Sequence, residues 1–324
     1  MARAARLSVI CGGALIVSLG IVSYIRSYFR PPPDEVIVFA MLGNHPFQDS
    51  IYTVWLDGSH ARQILQPEGR KSYLSVSGNS LMKPLVVTVY QSVDTKTKEN
   101  HLFLYELADG TWKRVTMQKG AEGYGAISPD NSRVVFEFGA QTEETKKPGK
   151  SRIWLTDLSS GETRQLTTDL DADTWDSTPT WRPDSEEVLF LRFKFSERGV
   201  LSKLMSVSTS GGEPRLLAEG VVDACYSPDG KRLAIVATGG LQILDPETQQ
   251  RKLIVPWEKL PNYRYVSGGL TWSRDLDKIA FGILNQNSAE SELWTVASDG
   301  ANATKIFGTK LGRISYPAFV RTVN

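Results

Sequence analysis

The stretch DSTPTWRPD, residues 176–184, decides the fold because weaker copies of it recur along the chain. The copies are GAISPDN (125–131), ACYSPDG (224–230), LTWSRDL (270–276) and LSVSGNS (74–80). In the strongest copies an apolar run leads into a turn, where Pro presets φ and Asp favours a tight reversal. Successive copies lie 45 to 54 residues apart. A period of this length indicates an array of repeated units, such as a solenoid or a propeller.

Three further apolar runs follow most copies of the turn, so one repeat contains four short strands, a to d. The first of these runs is strand b, as in VVFEF (134–138) and RLAIVA (232–237). Strand c ends in a turn, as in RIWLTDLSSG (152–161), and strand d is short, as in RQLT (164–167). No segment from Val36 onward keeps a helical period of 3.6 residues. The sequence therefore predicts an all-β protein.

The two ends of the repeat region complete each other. VIVFAML (36–42) reads as a strand b with no strand a before it, and YPAFV (316–320) reads as a strand a with no strand b after it. Pairing them in one sheet gives six blades and leaves no open flank on the array. We therefore predict a six-bladed β-propeller with ring closure between residues 36–42 and 315–320.

The amino-terminal segment is predicted to lie outside the propeller. Leu7 to Ile25 is a run of nineteen residues without a charge. At ~1.5 Å per residue it is long enough to cross most of a ~30 Å hydrocarbon core. We interpret residues 1–30 as a transmembrane anchor, with a cleaved signal peptide as the competing interpretation. Residues 31–35 then form a proline-rich spacer, and residues 36–324 form the propeller.

The repeat resembles the TolB-type, WD40-like propeller repeat over roughly residues 36–320. The positions that carry the resemblance are Pro179, Trp181, Pro183 and Asp184, then Ser227 to Gly230, then Arg164 to Thr167. The resemblance implies a propeller fold and a binding role outside the cytoplasm, in a periplasmic or extracellular location. The α/β domain that precedes the propeller in this family has no expected counterpart, since only Ser27 to Glu35 separate the predicted anchor from the first strand.

Composition narrows the classes of function. The chain has 37 Lys and Arg residues against 36 Asp and Glu, a net charge of +1, which disfavours binding of nucleic acid through its phosphates. Two cysteines, Cys11 and Cys225, offer no disulfide framework. The sequence has no GxSxG motif of a hydrolase. The three histidines, His45, His60 and His101, are interpreted as solvated loop side chains, and we predict no metal site and no cofactor.

An acidic loop with Asp169, Asp171 and Asp173 suggests calcium at first sight. An EF-hand loop beginning at Asp169 requires Gly at its sixth position and Glu at its twelfth, where this chain has Thr174 and Thr180. The motif therefore does not predict a calcium site.

The binding site is predicted on the face of the ring that carries the b–c and d–a connections. These connections are long and irregular, whereas the a–b and c–d turns are tight, and variable loops on a rigid scaffold usually carry binding sites. The mouth of the central channel belongs to the same prediction. The predicted ligand-binding residues are Trp175, Asp176, Asp223, Trp257, Tyr263, Arg264 and Tyr265.

Several of these residues also have a structural interpretation. Asp176 corresponds to a loop aspartate near the channel mouth in the resembled family, but a carboxylate there can instead accept backbone N–H groups of the next blade. The aromatic loop of Trp257, Tyr263, Arg264 and Tyr265 suits a peptide or a sugar, but it can also pack over a neighbouring blade.

The sequence favours a non-catalytic, membrane-anchored propeller that binds a protein, peptide or glycan ligand. The alternative is a propeller enzyme, a lyase or a glycan hydrolase, that uses acidic channel residues such as Asp176 and Asp223. A structural subunit of a larger assembly is a third possibility. The oligomeric state is left open.

Overall fold

Six four-stranded antiparallel sheets form the ordered framework. The computed structural model describes residues 35–44, 48–78, 84–92, 98–117, 120–139, 151–168, 174–197, 199–259 and 263–321. Of residues 92, 98, 99, 263 and 265–268 it describes the backbone alone.

Each sheet is one blade, and the blades follow the order of the chain except at the seam. Blade 1 contains β1 (Glu35–Gly43), β2 (Ser50–Trp55) and β3 (Arg62–Leu65). Blade 2 contains β4 (Lys71–Ser77), β5 (Leu85–Ser92), β6 (Lys98–Tyr105) and β7 (Trp112–Arg114). Blade 3 contains β8 (Ala121–Ile127), β9 (Arg133–Gly139), β10 (Ser151–Asp157) and β11 (Thr163–Gln165).

The second half of the chain repeats the arrangement. Blade 4 contains β12 (Thr174–Trp181), β13 (Glu187–Ser196), β14 (Gly199–Ser208) and β15 (Arg215–Glu219). Blade 5 contains β16 (Val221–Tyr226), β17 (Leu233–Ala237), β18 (Gly240–Leu244) and β19 (Arg251–Pro256). Blade 6 contains β20 (Tyr263–Trp272), β21 (Lys278–Asn285), β22 (Glu290–Ala297) and β23 (Thr304–Thr309). The last strand, β24 (Gly312–Arg321), returns to blade 1.

Closure of the ring confirms the predicted seam. β24 pairs with β1 in antiparallel register, with Val36 opposite Val320 and Ile37 opposite Phe319. Phe319 and Ile37 are buried together with Phe39 in a cluster between blades 1 and 6. Each fully buried side chain of this size contributes about 1.5–3 kcal/mol, so the seam is stabilised by packing as well as by backbone hydrogen bonds.

The strand that opens each repeat lies nearest the axis. These six a strands contact one another in sequence around the ring, in the order β4, β8, β12, β16, β20, β24. Strands b are buried on both faces because a blade packs on each side, and all five residues of β17 are buried. The space between blades 3 and 4, for example, is filled by Val135, Ile153, Trp181 and Phe190.

The recurring Pro-Asp motif forms the a–b turn. The Asp229 carboxylate accepts two hydrogen bonds on Oδ1. The donors are the Ser227 hydroxyl, at an oxygen–oxygen distance of 2.6 Å, and the Lys231 backbone N–H, at a nitrogen–oxygen distance of 3.1 Å. The aromatic residue ahead of the turn is covered by a guanidinium group, since Arg232 lies 5.0 Å from the ring of Trp272. The motif that reveals the repeat in the sequence is therefore a structural turn.

The predicted anchor, Leu7 to Ile25, lies outside the described residues. Within residues that are described, no helix has the length and apolar character needed to cross a bilayer. The single helical turn there, Trp257–Lys259, is a 3-10 helix of three residues.

Candidate functional site

The six a strands enclose a cavity of about 370 Å3 in the channel. Its wall includes Pro129, Pro183 and Pro228, which belong to the a–b turns. All a strands run in the same direction, so this cavity occupies the half of the channel nearest the a–b turns. The sequence predicted a site on the opposite face. Asp223 is the one predicted site residue that lines the cavity, among those whose side chains are described.

Three residues with irregular backbone line the inner end of this cavity. Tyr124, Thr178 and Tyr316 have φ values of 48°, 48° and 54°, and they lie at breaks in the pairing of their strands with the neighbouring strand b. A positive φ is uncommon for residues other than glycine and is a true outlier for a β-branched residue such as Thr178. Strained positions of this kind cluster at ligand sites and switches.

Two tyrosines meet across the channel. Tyr124 of blade 3 and Tyr316 of blade 1 are separated by a whole blade, yet their ring centroids lie 5.3 Å apart and their hydroxyl groups share a hydrogen bond. Burial is the largest cause of a Tyr316 pKa well above its ordinary value, and the Tyr124 hydroxyl and the carboxylates of Asp223 and Glu137 raise it further. Both phenols therefore stay protonated at neutral pH.

Asp223 connects blade 5 to blade 6. One carboxylate oxygen accepts the N–H of Ala224 and the other accepts the N–H of Gly269, each at 2.8 Å. Gly269 lies in the irregular part of β20 at a φ of 146°, where a Cβ would contact the backbone of Tyr316 at 2.5 Å. This is the contact to the next blade that the structural interpretation of the sequence expected for Asp176.

Asp176 is held by an arginine instead. Its carboxylate is fully buried and accepts two hydrogen bonds from Arg192, at 2.6 Å from Nε and 2.7 Å from Nη2. The two residues are cross-strand partners on β12 and β13. A bidentate arginine–carboxylate pair is strong and geometrically specific. Among the described residues, the donors to Asp176 come from Arg192 on its own blade, whereas the structural interpretation expected backbone N–H groups of the next blade.

Trp175 donates its indole N–H to Glu137 of blade 3 at 2.7 Å, and Ser177 donates its hydroxyl to the other oxygen of the same carboxylate. Glu137 is buried, and burial raises its pKa above the ordinary value. The hydrogen bonds from Ser177 and Trp175 lower the pKa and offset part of this effect. The sequence analysis did not identify Glu137. The sequence feature that could have revealed Glu137 is its position as the one acidic residue in the otherwise apolar strand b VVFEF (134–138).

Another buried carboxylate, Glu122, lies between blades 2 and 3. It accepts the N–H of Leu102 at 2.9 Å and the hydroxyl proton of Thr116. Burial raises the pKa of Glu122 to about 7, while the Leu102 N–H and the charge of Arg114 lower it. His101 lies beside this group, with Nδ1 3.9 Å from the carboxylate.

His101 corrects one expectation from the sequence. It was interpreted as a solvated loop residue, but it is buried on β6, where the Arg114 guanidinium approaches Nδ1 at 2.9 Å. His60 does lie in an exposed turn, stacked on Trp55 at 3.7 Å between ring centroids. His45 and the acidic loop of Asp169 to Asp173 fall outside the described residues. In the part that is described, no three His, Cys, Asp or Glu residues are grouped to hold a metal ion.

The aromatic loop is partly described. The Trp257 backbone N–H donates to the Gly239 carbonyl at 3.0 Å, and its ring packs against the hydrophobic cluster of blades 5 and 6. Arg264 is exposed. The side chains of Tyr263 and Tyr265 are not among those described. The predicted site residues thus fall into three places: Trp175 and Asp176 at the start of β12, Asp223 in the channel, and the loop that leads into β20.

Comparison with solved structures identifies the fold. TolB from Acinetobacter baumannii superposes with a TM-score of 0.67 at 19% sequence identity, over 91% of this chain and 69% of that one. A TolB from Agrobacterium tumefaciens gives a TM-score of 0.61 at 18% identity, over 86% and 91% of the two chains. The fold is that of a TolB-type propeller.

The TolB-type fold also occurs in an enzyme. An oligogalacturonate lyase in complex with manganese superposes with a TM-score of 0.54 at 13% identity, over 80% of this chain and 75% of that one. No protein-family model and no curated protein matches the sequence. A fold by itself does not imply a function, so the side chains of this TolB-type propeller are what indicate its function.

Proposed function

We propose that the protein is a membrane-anchored, non-catalytic propeller that binds a protein partner, or a peptide or glycan that the partner carries, on the face with the b–c and d–a loops. The observation that carries the proposal is the distribution of exposed apolar side chains. Of the ten large hydrophobic residues that are exposed in the described part, six lie at the b–c or d–a ends of their blades. They are Met117, Phe195, Val200, Leu201, Val222 and Leu311. Three of the six, Phe195, Val200 and Leu201, lie together at the tip of one hairpin, and contiguous exposed apolar side chains mark interaction surfaces.

The hairpin of β13 and β14 presents the densest part of this surface. The two ten-residue strands pair to their tip, where Phe195 lies opposite Val200. Leu201 on the same tip is 60% exposed, and the Trp175 ring lies 6.2 Å from that of Phe195. Aromatic and aliphatic anchors of this kind dominate the energetics of protein interfaces.

The buried carboxylates support binding rather than catalysis. Asp176 is occupied by Arg192, and Asp223 accepts two backbone N–H groups. Groups that hold the fold together in this way are poor general acids or bases, because moving them into a reaction breaks the contacts that position them.

The membrane anchor and the extracytoplasmic location are proposed on the basis of the sequence. The uncharged run from Leu7 to Ile25 has the length of a membrane-spanning helix. The resemblance to TolB-type repeats favours a location outside the cytoplasm.

A single crosslinking experiment tests the proposal. Intact cells that express the full chain are treated with a membrane-impermeant crosslinker, and the crosslinked partner is identified. The variant Val200→Ser/Leu201→Ser is expected to lose most of the crosslinked species, because it removes two apolar contacts at the hairpin tip. Leu107→Ser is the matched control, since Leu107 is also exposed but lies in a c–d turn on the opposite face.

Two outcomes contradict the proposal. Equal crosslinking of the hairpin variant and the control would place the contact elsewhere. Absence of any reaction with the impermeant reagent, together with reaction of a permeant one, would place the propeller in the cytoplasm.

A further inference from the structure

We propose that the mouth of the channel on the face with the b–c and d–a loops (the loop face) binds the carboxylates of an acidic peptide segment. The residues that bind them are Arg313 and Lys71, where blades 1 and 2 meet. This inference rests on the proposed function and deepens it, because the site lies on the same face and gives the protein partner a definite chemistry.

Arg313 and Lys71 lie at the beginnings of two neighbouring a strands. β24 begins at Gly312 and β4 begins at Lys71, and the two strands are adjacent around the axis. All a strands begin on the loop face, so both side chains lie at that mouth of the channel. Both are exposed, and Arg70, the residue before Lys71, is exposed as well. Three positive charges therefore lie at this edge of the mouth.

The alternation of side chains along each strand turns the two cations toward the same junction. Ile314 is fully buried in the cluster between blades 1 and 6, so its neighbour Arg313 lies on the opposite face of β24, toward blade 2. Tyr73 is buried in the cluster between blades 1 and 2. Lys71, two residues earlier, lies on the same face of β4, toward blade 1. Arg313 and Lys71 thus approach the junction from opposite sides.

The charge of Arg313 reaches the channel. Burial raises the pKa of Tyr124 above its ordinary value, while the hydrogen bond to Tyr316 and the charge of Arg313 lower it. The hydroxyl of Tyr124 meets that of Tyr316 inside the channel. The guanidinium that acts on it therefore lies at the channel and not on the outer rim of the blade.

Neither cation has an ionic partner among the described residues. No hydrogen bond or ion pair joins the side chain of Arg313 or Lys71 to any other residue of the described part. In blade 4, by contrast, Lys203 is bound by Glu219 at 3.1 Å. Two cations that face one junction repel each other, and a carboxylate between them removes the repulsion. The junction therefore favours an anion.

Two acidic residues lie near this junction, and neither forms an ion pair with the cations. Asp49 accepts a backbone N–H at 3.0 Å on one oxygen and the Ser72 hydroxyl at 2.6 Å on the other. Burial and then the charge of Glu68 raise the pKa of Tyr73, whose ring stacks on Trp112 of the outer strand β7. Glu68 therefore acts toward the outer rim, and the positive charges at the mouth exceed the one carboxylate of Asp49.

The surroundings of Arg313 suit an acidic peptide better than a sugar acid or a phosphate. A guanidinium donates two parallel N–H groups to the two oxygens of a carboxylate. Leu311, two residues before Arg313, is 71% exposed, and Leu42 opposite Arg313 is partly buried. A segment with acidic and apolar residues can contact the cations and the leucines together. The net charge of +1 on the whole chain disfavours a long polyanion such as nucleic acid.

The test is isothermal titration calorimetry of the purified full chain in a non-ionic detergent. The main probe is an acetylated pentapeptide in which glutamate alternates with leucine. The same peptide with glutamine in place of glutamate, trigalacturonate and inorganic phosphate are the comparison probes. Saturable binding of the glutamate peptide that weakens as the salt concentration rises, with no binding of the glutamine peptide, is the expected result.

Variants locate the site. Arg313→Gln and Lys71→Gln each remove one charge and are expected to weaken binding roughly two- to fivefold, the effect of one exposed ion pair. Arg313→Lys keeps the charge and is expected to retain most of the affinity. The double variant Arg313→Glu/Lys71→Glu is expected to abolish binding, because like charges then face the peptide. Lys113→Gln is the matched control, since Lys113 is exposed on the outer strand of blade 2 and its loss changes the net charge equally.

Thermal melts of each variant separate weaker binding from unfolding. Four results would overturn the inference. They are no saturable binding of the glutamate peptide, equal binding of the glutamine peptide, binding of trigalacturonate or phosphate as tight as that of the glutamate peptide, and a Lys113→Gln effect as large as that of Arg313→Gln.

The proposed function fails by a different measurement, because it depends on crosslinking through Val200 and Leu201. If the hairpin variant loses the crosslinked partner but the glutamate peptide does not bind, the proposed function stands and this inference falls. If the glutamate peptide binds through Arg313 and Lys71 but crosslinking is equal in the hairpin variant and its control, this site stands and the hairpin contact falls.

Discussion

Glu122 and Asp176 occupy the same place in neighbouring blades and are held in different ways. Each lies eight residues before the aspartate of its Pro-Asp turn, and each side chain is fully buried. The residue opposite Glu122 on the adjacent strand is Phe138, whereas the residue opposite Asp176 is Arg192. The repeat thus fixes where a carboxylate lies, and the cross-strand neighbour decides whether it gains a charged partner.

The backbone N–H groups next to these two carboxylates are also bonded differently. Between blades 2 and 3 the Leu102 N–H and the Thr116 hydroxyl both donate to Glu122. Between blades 3 and 4 the equivalent N–H, of Ile153, donates directly to Thr167 at 3.0 Å. The carboxylate of blade 4 is therefore free to bind Arg192. The equivalent N–H group is therefore bonded to a carboxylate between blades 2 and 3 and to a threonine hydroxyl between blades 3 and 4.

The largest effect is expected from Asp176→Asn. The substitution leaves the buried guanidinium of Arg192 without its counter-charge, and breaking a buried ion pair costs about 3–5 kcal/mol. Urea unfolding measures the free energy of unfolding. The double variant Asp176→Asn/Arg192→Met removes both charges and is expected to regain part of the loss. A single-variant loss below about 1 kcal/mol, the value of an exposed pair, would show that the pair adds little.

The second prediction concerns the pH dependence that Glu122 introduces. Its pKa in the folded protein is about 7, above its ordinary value of 4.5, so between these values the folded state holds more protons than the unfolded state. Stability from this group is therefore present at low pH and is lost as the pH rises through 7, by up to about 3 kcal/mol. Urea unfolding from about pH 5 to about pH 8 is expected to show the decline.

Glu122→Gln isolates this contribution, because the amide keeps an acceptor but cannot ionise. The difference between wild type and variant removes the effects of other buried acids, such as Glu137. Glu186→Gln, at an exposed carboxylate, is the matched control. Parallel profiles of Glu122→Gln and wild type would contradict the prediction.

The smallest effect on the free energy of unfolding is expected from substituting Thr116 or Thr167. Thr116→Val removes one hydrogen bond to Glu122, about 1 kcal/mol, and the loss should grow as the carboxylate ionises. Thr167→Val leaves the Ile153 N–H without its acceptor, at a similar cost that does not depend on the ionisation of Glu122. Unfolding of both variants at about pH 5 and about pH 8 tests the contrast. A pH-dependent loss in Thr167→Val would remove the distinction between the junctions.

The sequence predicted most of the fold because the information is local and repeated. Turn chemistry and apolar runs depend on neighbours in the chain, and the unpaired strands at residues 36–42 and 316–320 required the closure that the structure confirms. The candidate site was harder to predict. Both carboxylates stand sixteen residues before their cross-strand partners, but the significance of Phe138 and Arg192 depends on the register of the strands.

The sequence by itself determined a six-bladed, all-β ring and the location of its seam. Tertiary structure alone decided that Asp176 is paired with Arg192, that His101 is buried, and that Tyr124 and Tyr316 meet across the channel. The physical reason is that repeated turns and apolar runs are visible in the local sequence, whereas side-chain partners depend on strand register and on how the blades pack. Arg192 faces Asp176 only through the register of β12 and β13, and Tyr124 meets Tyr316 only because the ring closes.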